Sequence, residues 1–236
     1  MVKIQSRRVG RGLRLFIGAT GLGLAISAAG ATPPAPSAAS GWRETVRAFA
    51  KQHFKQPAWG YSHSVRDYAL ARELAAADHA VLDDDVLYAA AFLHDMAAFA
   101  PWEKEKVDHA DEAARIVDTV LKDTGFPMSK IDAVRGAIRT HMFERDPVGP
   151  EAVYLHDADA LDWLGAIGIA RITALVDPNG GDPDGPKAAA MLADNLAKVP
   201  SRVLSPAGRA LVPARKAELA GYLRNLRRES DGLKSL

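Results

Sequence analysis

Cysteine is absent from the 236 residues, which excludes disulfides, thiolate metal sites and lipid attachment through sulfur. Alternating apolar and polar runs are also missing, and with them the pattern of a half-buried strand. Aromatic residues make up only 7% of the chain. β-Branched clusters are few and alanine is abundant, a composition that leans towards helix. Neither charge sign is in excess: 30 Lys and Arg face 29 Asp and Glu. That balance hides an uneven distribution, because Lys3, Arg7, Arg8, Arg11 and Arg14 all precede the first acid, Glu44. Residues 32–236 therefore carry 25 basic against 29 acidic side chains, a net of −4. Such a segment has no electrostatic case for binding nucleic acid along a basic face.

The N-terminal arrangement reads as a secretory signal over residues 1–31. A basic stretch leads into the apolar run Leu13 to Ile26, which Gly18, Gly21 and Gly23 interrupt. Ala29-Gly30-Ala31 then offers the small-x-small pattern that signal peptidase cuts. The run is short and glycine-rich for a membrane span of about 20 residues, so cleavage is expected rather than a retained anchor. Ser6-Arg7-Arg8 hints at twin-arginine export, although Gly10 stands where that signal prefers a bulky apolar residue. The expected location is periplasmic or secreted, with no stable membrane insertion after cleavage. Residues 32–41, rich in Pro and Ala, read as a flexible mature N-terminus, and residues 42–236 as one domain with a sizeable core.

Within that domain the apolar spacing is helical almost throughout. It predicts helices over about 42–54 and 62–77, a third capped by Asp83 or Asp84, and a fourth capped by Asp108 and ending near Gly125. A fifth capped by Ser129 runs to about Met142, and a long, apolar sixth covers about 151–176. Two more follow the turn cluster Asp177-Pro178-Asn179-Gly180-Gly181, over about 185–197 and 206–228.

The seven histidines fall mostly at helix ends. His63 opens the second helix, and His94-Asp95 closes the third after the apolar stretch Leu87 to Leu93. His109 opens the fourth, His141 closes the fifth, and His156-Asp157 lies in the sixth. Helix ends of a compact bundle converge, so imidazoles and carboxylates from several elements can meet in one pocket. A buried His or Asp must find a partner or bind something. Asp157, Asp159 and Asp162 stand close together on an otherwise apolar helix, more acids than a cap explains. Two nitrogens and two carboxylates from His63, His94, Asp95 and Asp157 would neutralise a divalent cation. This donor set suits Mn, Mg, Fe, Co or Zn and does not choose among them. His53, His79 and His156 have no motif around them and read as structural, with His156 pointing away from Asp157.

The order His63, then AFLHDM at 91–96, then Asp157 resembles the H…HD…D pattern of the HD-domain superfamily of metal-dependent phosphohydrolases. One bacterial branch is closer still, through VDHADEAARI at 107–116, AIRTHMF at 137–143 and LHDADALDWLGAIGIARI at 155–172. The resemblance covers roughly residues 61–228. It implies an all-α HD-domain helical bundle holding one divalent metal ion through His63, His94, Asp95 and Asp157. The implied reaction is hydrolysis of a small phosphate ester or phosphoanhydride, the cation lowering the pKa of water and polarising a phosphoryl oxygen.

His109, His141 and Asp159 are then the catalytic candidates, as proton donor, phosphate contact or base. The two histidines equally suit a helix cap or a second metal. Arg66, Lys106 and Arg139 are candidates for substrate phosphate, with Arg145 beside them. Asp67, one turn after His63, either orients that imidazole or lies on the surface. The resemblance departs from the pattern after the HD pair, where no acid occurs before Glu103, so either another group such as Asp159 or His141 serves as base or the reaction differs from that of the nucleotide-cleaving members. Two other functions stay open: a di-metal enzyme with other chemistry such as oxygenation, and a non-enzymatic metal- or ligand-binding module.

Overall fold

The structure, a computed structural model, describes residues 38–236. The expected signal over 1–31 and most of the flexible stretch over 32–41 lie outside the described residues. Among those described, every regular element is helical, and no helix is long and apolar enough to cross a membrane.

The elements are α1 (Ala38–His53), α2 (Tyr61–Ala77), α3 (Asp84–Leu93), α4 (His109–Ile116), α5 (Asp118–Leu121), α6 (Ile131–Arg139), α7 (Pro150–Asp162), α8 (Gly165–Thr173), α9 (Gly185–Lys198) and α10 (Pro206–Glu229). α1 begins at Ala38, ahead of the expected residue 42. The caps follow the local chemistry. The Asp83 carboxylate accepts from the Asp85 and Val86 amides at the start of α3, and Asp108 does the same for Ala110 and Asp111 at the start of α4. Ser129 caps nothing; it lies in a short 3₁₀ turn ahead of α6. The expected fourth helix is broken at Val117 into α4 and α5.

α3 is the central helix. Val86 to Leu93 are all buried, as expected of a helix that is apolar on every side. α2 and α7 pack extensively on each other, and α3 lies against α1, α2, α6 and α7. The C-terminal end of α3 therefore opens onto α2 and α7, which places His94 and Asp95 among their side chains.

The predicted sixth helix is two helices. The chain turns at Trp163-Leu164 between α7 and α8, where Gly165 adopts φ +63°, a conformation that favours glycine. Gly168 packs so closely on the turn that a Cβ there would lie 2.2 Å from the Trp163 carbonyl oxygen. Two glycines in an otherwise apolar run thus redirect the chain, and α8 carries Arg171 back to the end of α7.

Candidate metal centre

Four elements deliver the site. On α2, His63 and Asp67 stand one turn apart and share a face. His94 and Asp95 follow directly on α3, α7 supplies Asp159 and Asp162 at i, i+3, and the chain after α6 supplies His141. His63, Asp67 and His94 have no exposed surface, and Asp159 and Asp95 are 3% and 6% exposed.

The imidazoles are held in one tautomer. His63 Nδ1–H donates to Asp162 Oδ2 at 2.8 Å, His94 Nδ1–H to the Ala91 carbonyl at 2.9 Å, and His141 Nδ1–H to the Ile138 carbonyl at 2.7 Å. Each Nε2 is left as a lone pair, that of His63 with Arg171 Nη2 at 3.4 Å, the arrangement of a metal-ligating imidazole with an outer partner. Those lone pairs face one another and a set of carboxylates. His63 Nε2 is 3.2 Å from His94 Nε2, 3.1 Å from Asp67 Oδ2 and 3.2 Å from Asp159 Oδ1. His94 Nε2 is 3.2 Å from Asp95 Oδ2. Ligand atoms about 2.0–2.1 Å from a tetrahedral ion sit roughly 3.3 Å apart, so these separations suit donors sharing one cation.

Two further observations test the fit. First, both Asp67 oxygens are buried without a hydrogen bond. The approach of His63 Nε2 supplies none, because the His63 proton is on Nδ1. Such an orphan carboxylate is costly unless a cation meets it. Second, the charges do not balance. Among the described residues the cations that face Asp67, Asp95, Asp159 and Asp162 are Arg66 and Arg171, which pair with Asp162 at 2.7 and 3.2 Å. With all four acids ionised and the histidines neutral, four carboxylates against two guanidiniums leave an excess of two negative charges, the charge of one divalent cation. The residues fit such an ion.

The titration behaviour has the same cause. Burial, with Asp162 and Asp159 nearby, pushes the Asp67 carboxyl well above its ordinary range. Burial opposes ionisation of Asp95 too, but His94, His109 and His141 hold it well below. Burial and Arg171 favour neutral His63, yet Asp159 and Asp162 outweigh them and raise its pKa. For His141 burial wins over Asp95 and the pKa falls. His109, 29% exposed on its side chain, lies 3.3 Å from Asp95 Oδ1. Burial lowers its pKa less than Asp95 raises it.

Beside the cluster is a cavity of about 270 Å³, lined by Trp59, Asp95, Ala98, His109, His141, Met142, Asp159 and Trp163. The HD domain model matches residues 60–164, the stretch that contains His63, the His94-Asp95 pair and Asp159. That stretch of the chain is similar to the HD domain. A solved structure named as a predicted HD superfamily hydrolase, from an uncultured Thermotogales bacterium, is 26% identical. It covers 80% of this chain and 90% of its own, with a TM-score of 0.55. Two others share the fold. A Lactobacillus plantarum protein is 23% identical with a TM-score of 0.60, covering 80% of this chain and 96% of its own. Bacillus subtilis YpgQ, solved in complex with ADP, is 21% identical with a TM-score of 0.60, covering 81% and 100%. No curated protein matches.

The structure brings together His63, His94 and Asp95 as the sequence implies, but not Asp157. The Asp157 carboxylate accepts from the Leu204 amide at 2.9 Å and the Ser205 amide at 2.6 Å, and it is fully buried there. Positions two apart on a helix point about 200° apart, so only one of Asp157 and Asp159 can face the pocket. It is Asp159, whose carboxylate lies within 4.8 Å of the ligand atoms of His63, Asp67 and His94. Asp67 belongs to the same group and is not a surface residue.

His156 does not point away from its neighbour, since its Nδ1 lies 3.0 Å from Asp157 Oδ1. His53 packs on Phe49 and Trp102, and His79 is exposed just after α2. The expected phosphate contacts do not reach the cavity. Arg66 pairs with Asp162 behind His63, Lys106 is exposed beside Glu105, and Arg139 and Arg145 pair with Asp111. Sequence reasoning missed Asp162 as the partner of His63, Arg171 as the partner of Asp162, and the walls Trp59, Met142 and Trp163. The i, i+3 spacing of Asp159 and Asp162 was the available signal for the first.

Proposed function

We propose that the chain is a metal-dependent phosphohydrolase that cleaves a small phosphate ester or phosphoanhydride with water. One observation carries the reading: a buried cluster with more carboxylates than cations borders a cavity of about 270 Å³ whose wall bears His109 and His141. A divalent cation there supplies the Lewis acidity that makes water nucleophilic near neutral pH and draws charge from a phosphoryl oxygen. His63, His94, Asp67, Asp95 and Asp159 are the residues to hold it, with Asp162 and Arg66 fixing the His63 ring from behind.

The two cavity histidines divide the proton work. His109, partly exposed and with a raised pKa, is suited to carry a proton to the leaving oxygen. His141, with Nδ1–H fixed on the Ile138 carbonyl and a lowered pKa, stays neutral and presents Nε2 as an acceptor beside Asp95.

A second ion is the alternative that one feature favours, because His94, Asp95 and His141 offer ligand atoms within 4.8 Å of one another. Metal analysis together with phosphate release from a panel of phosphorylated metabolites tests both readings. One Mn or Mg per chain with phosphate release supports the proposal. Two redox-active ions without phosphate release favour the di-metal alternative, and no bound metal overturns both. The N-terminal pattern supports export of this enzyme, for which mass spectrometry of exported protein is expected to show a start near Thr32; full-length protein in the inner membrane would contradict it.

A further inference from the structure

The cavity beside the cluster has an uneven wall. One side carries the polar atoms of Asp95, Asp159, His109 and His141, and the other is Trp59, Ala98, Met142 and Trp163. No Lys or Arg is among the described residues that line it. Cations on the surrounding elements pair with carboxylates: Arg66 and Arg171 with Asp162, Arg139 with Asp111, Arg145 with Asp108 and Asp111, and Lys104 with Glu112. Sites that take chains of phosphates hold them with several arginines, lysines and glycine-rich loops. Here each phosphate after the first would bring charge into a place with nothing to meet it.

The apolar side is built rather than incidental. Arg171 covers one face of the Trp163 indole, its guanidinium carbon 3.6 Å from the ring centroid. The same guanidinium donates to the Ala58 carbonyl, next to Trp59, and to Asp162 Oδ2 at 3.2 Å. Arg171, itself 3% exposed, is thus a positioning residue that ties both tryptophans to the acid orienting His63. The volume of about 270 Å³ lies just below the usual range of about 300–1,000 Å³ for ligand pockets.

We infer that the substrate is a phosphate monoester whose leaving group is a flat apolar moiety lying against Trp59 and Trp163, and not a nucleoside di- or triphosphate. This rests on the phosphohydrolase reading and narrows it. In the reaction, water oxygen bonds to phosphorus, the ester P–O bond breaks, and the leaving oxygen takes a proton from the site, giving inorganic phosphate and an apolar alcohol or phenol.

The test is equilibrium binding of non-hydrolysable probes to the Mn²⁺-loaded chain, read by tryptophan fluorescence and calorimetry. Phenylphosphonate is expected to bind about tenfold more tightly than methylphosphonate, from stacking on the two indoles. It should also bind more tightly than α,β-methylene-ADP. Trp59→Ala and, separately, the milder Trp163→Leu should collapse the phenyl-over-methyl preference. Equal affinity for phenyl and methyl probes, or tighter binding of the ADP analogue, would overturn this inference while leaving the phosphohydrolase reading standing. Failure of every phosphonate to bind a chain that retains its metal would overturn both.

Discussion

Asp157 and Asp159 are two residues apart on one helix and are assigned opposite tasks, so alanine at each position should produce opposite phenotypes. Asp157 accepts from the buried Ser205 amide and the partly exposed Leu204 amide. Hydrogen bonds to charged groups contribute about 1.5–3 kcal/mol each. Because the Leu204 amide can regain water, the low end of their sum applies, about 3–4 kcal/mol. For a domain of this size each kcal/mol moves the melting temperature by about 2–4 °C. Asp157→Ala is therefore expected to melt ~6–16 °C lower in chelator, and Asp157→Asn, which keeps one acceptor oxygen, part of the way. Asp159→Ala removes a carboxylate from a cluster with surplus negative charge, so its melting temperature in chelator should stay near that of the parent.

Adding Mn²⁺ reverses the comparison. A ligand at a hundred times its dissociation constant stabilises by about 2.7 kcal/mol. Differential scanning fluorimetry should then show a metal-induced rise of roughly 5–11 °C for the parent and for Asp157→Ala, and none for Asp159→Ala. A metal response that survives Asp159→Ala but is lost in Asp157→Ala would refute the assignment.

Other substitutions follow from the same contacts. Asp162→Asn loosens the His63 ring and should weaken metal affinity about 10–100-fold without abolishing it, read by competition with a metal-binding dye. Asp83→Ala removes the α3 cap and the partner of Lys130, and should cost about 1 kcal/mol in urea unfolding with metal stoichiometry unchanged. Glu112, held to about 2 from 4.5 by Arg115 and Lys104, has a depressed folded pKa. Its contribution to stability is present above pH 4.5 and lost as pH falls from there towards 2; unfolding midpoints of Glu112→Gln should accordingly lack the part of that fall seen in the parent. Leu93→Ala, in the fully buried end of α3, should cost about 2–5 kcal/mol.

Much of this was legible in the sequence, for physical reasons that also explain the errors. Asp83 and Asp108 mark true helix starts because a carboxylate before an apolar periodic run has little else to do than cap it. The His94-Asp95 pair was readable since its helix is apolar on all sides, leaving those two no solvated face. The run over 151–176 hid its break because Trp163 to Ile169 is apolar in either conformation, and only Gly165 and Gly168 distinguish a turn from a continuous helix. The choice of Asp157 over Asp159 rested on resemblance, whereas the helical phase set by Asp159 and Asp162 at i, i+3 was the physical signal. Arg66, Lys106 and Arg139 were placed by charge alone, and charge does not say which carboxylate a guanidinium will meet. The tryptophan wall depends on contacts between residues over a hundred positions apart, such as Arg171 with Ala58, which no local pattern carries.

Anomalous diffraction at the manganese edge, from crystals of the chain grown with Mn²⁺, locates the cation directly. A peak between His63 Nε2 and His94 Nε2, in contact with Asp159 and with Asp157 still on the 204–205 amides, is the predicted result. A peak bound by Asp157, or none among these side chains in a metal-loaded crystal, would contradict it.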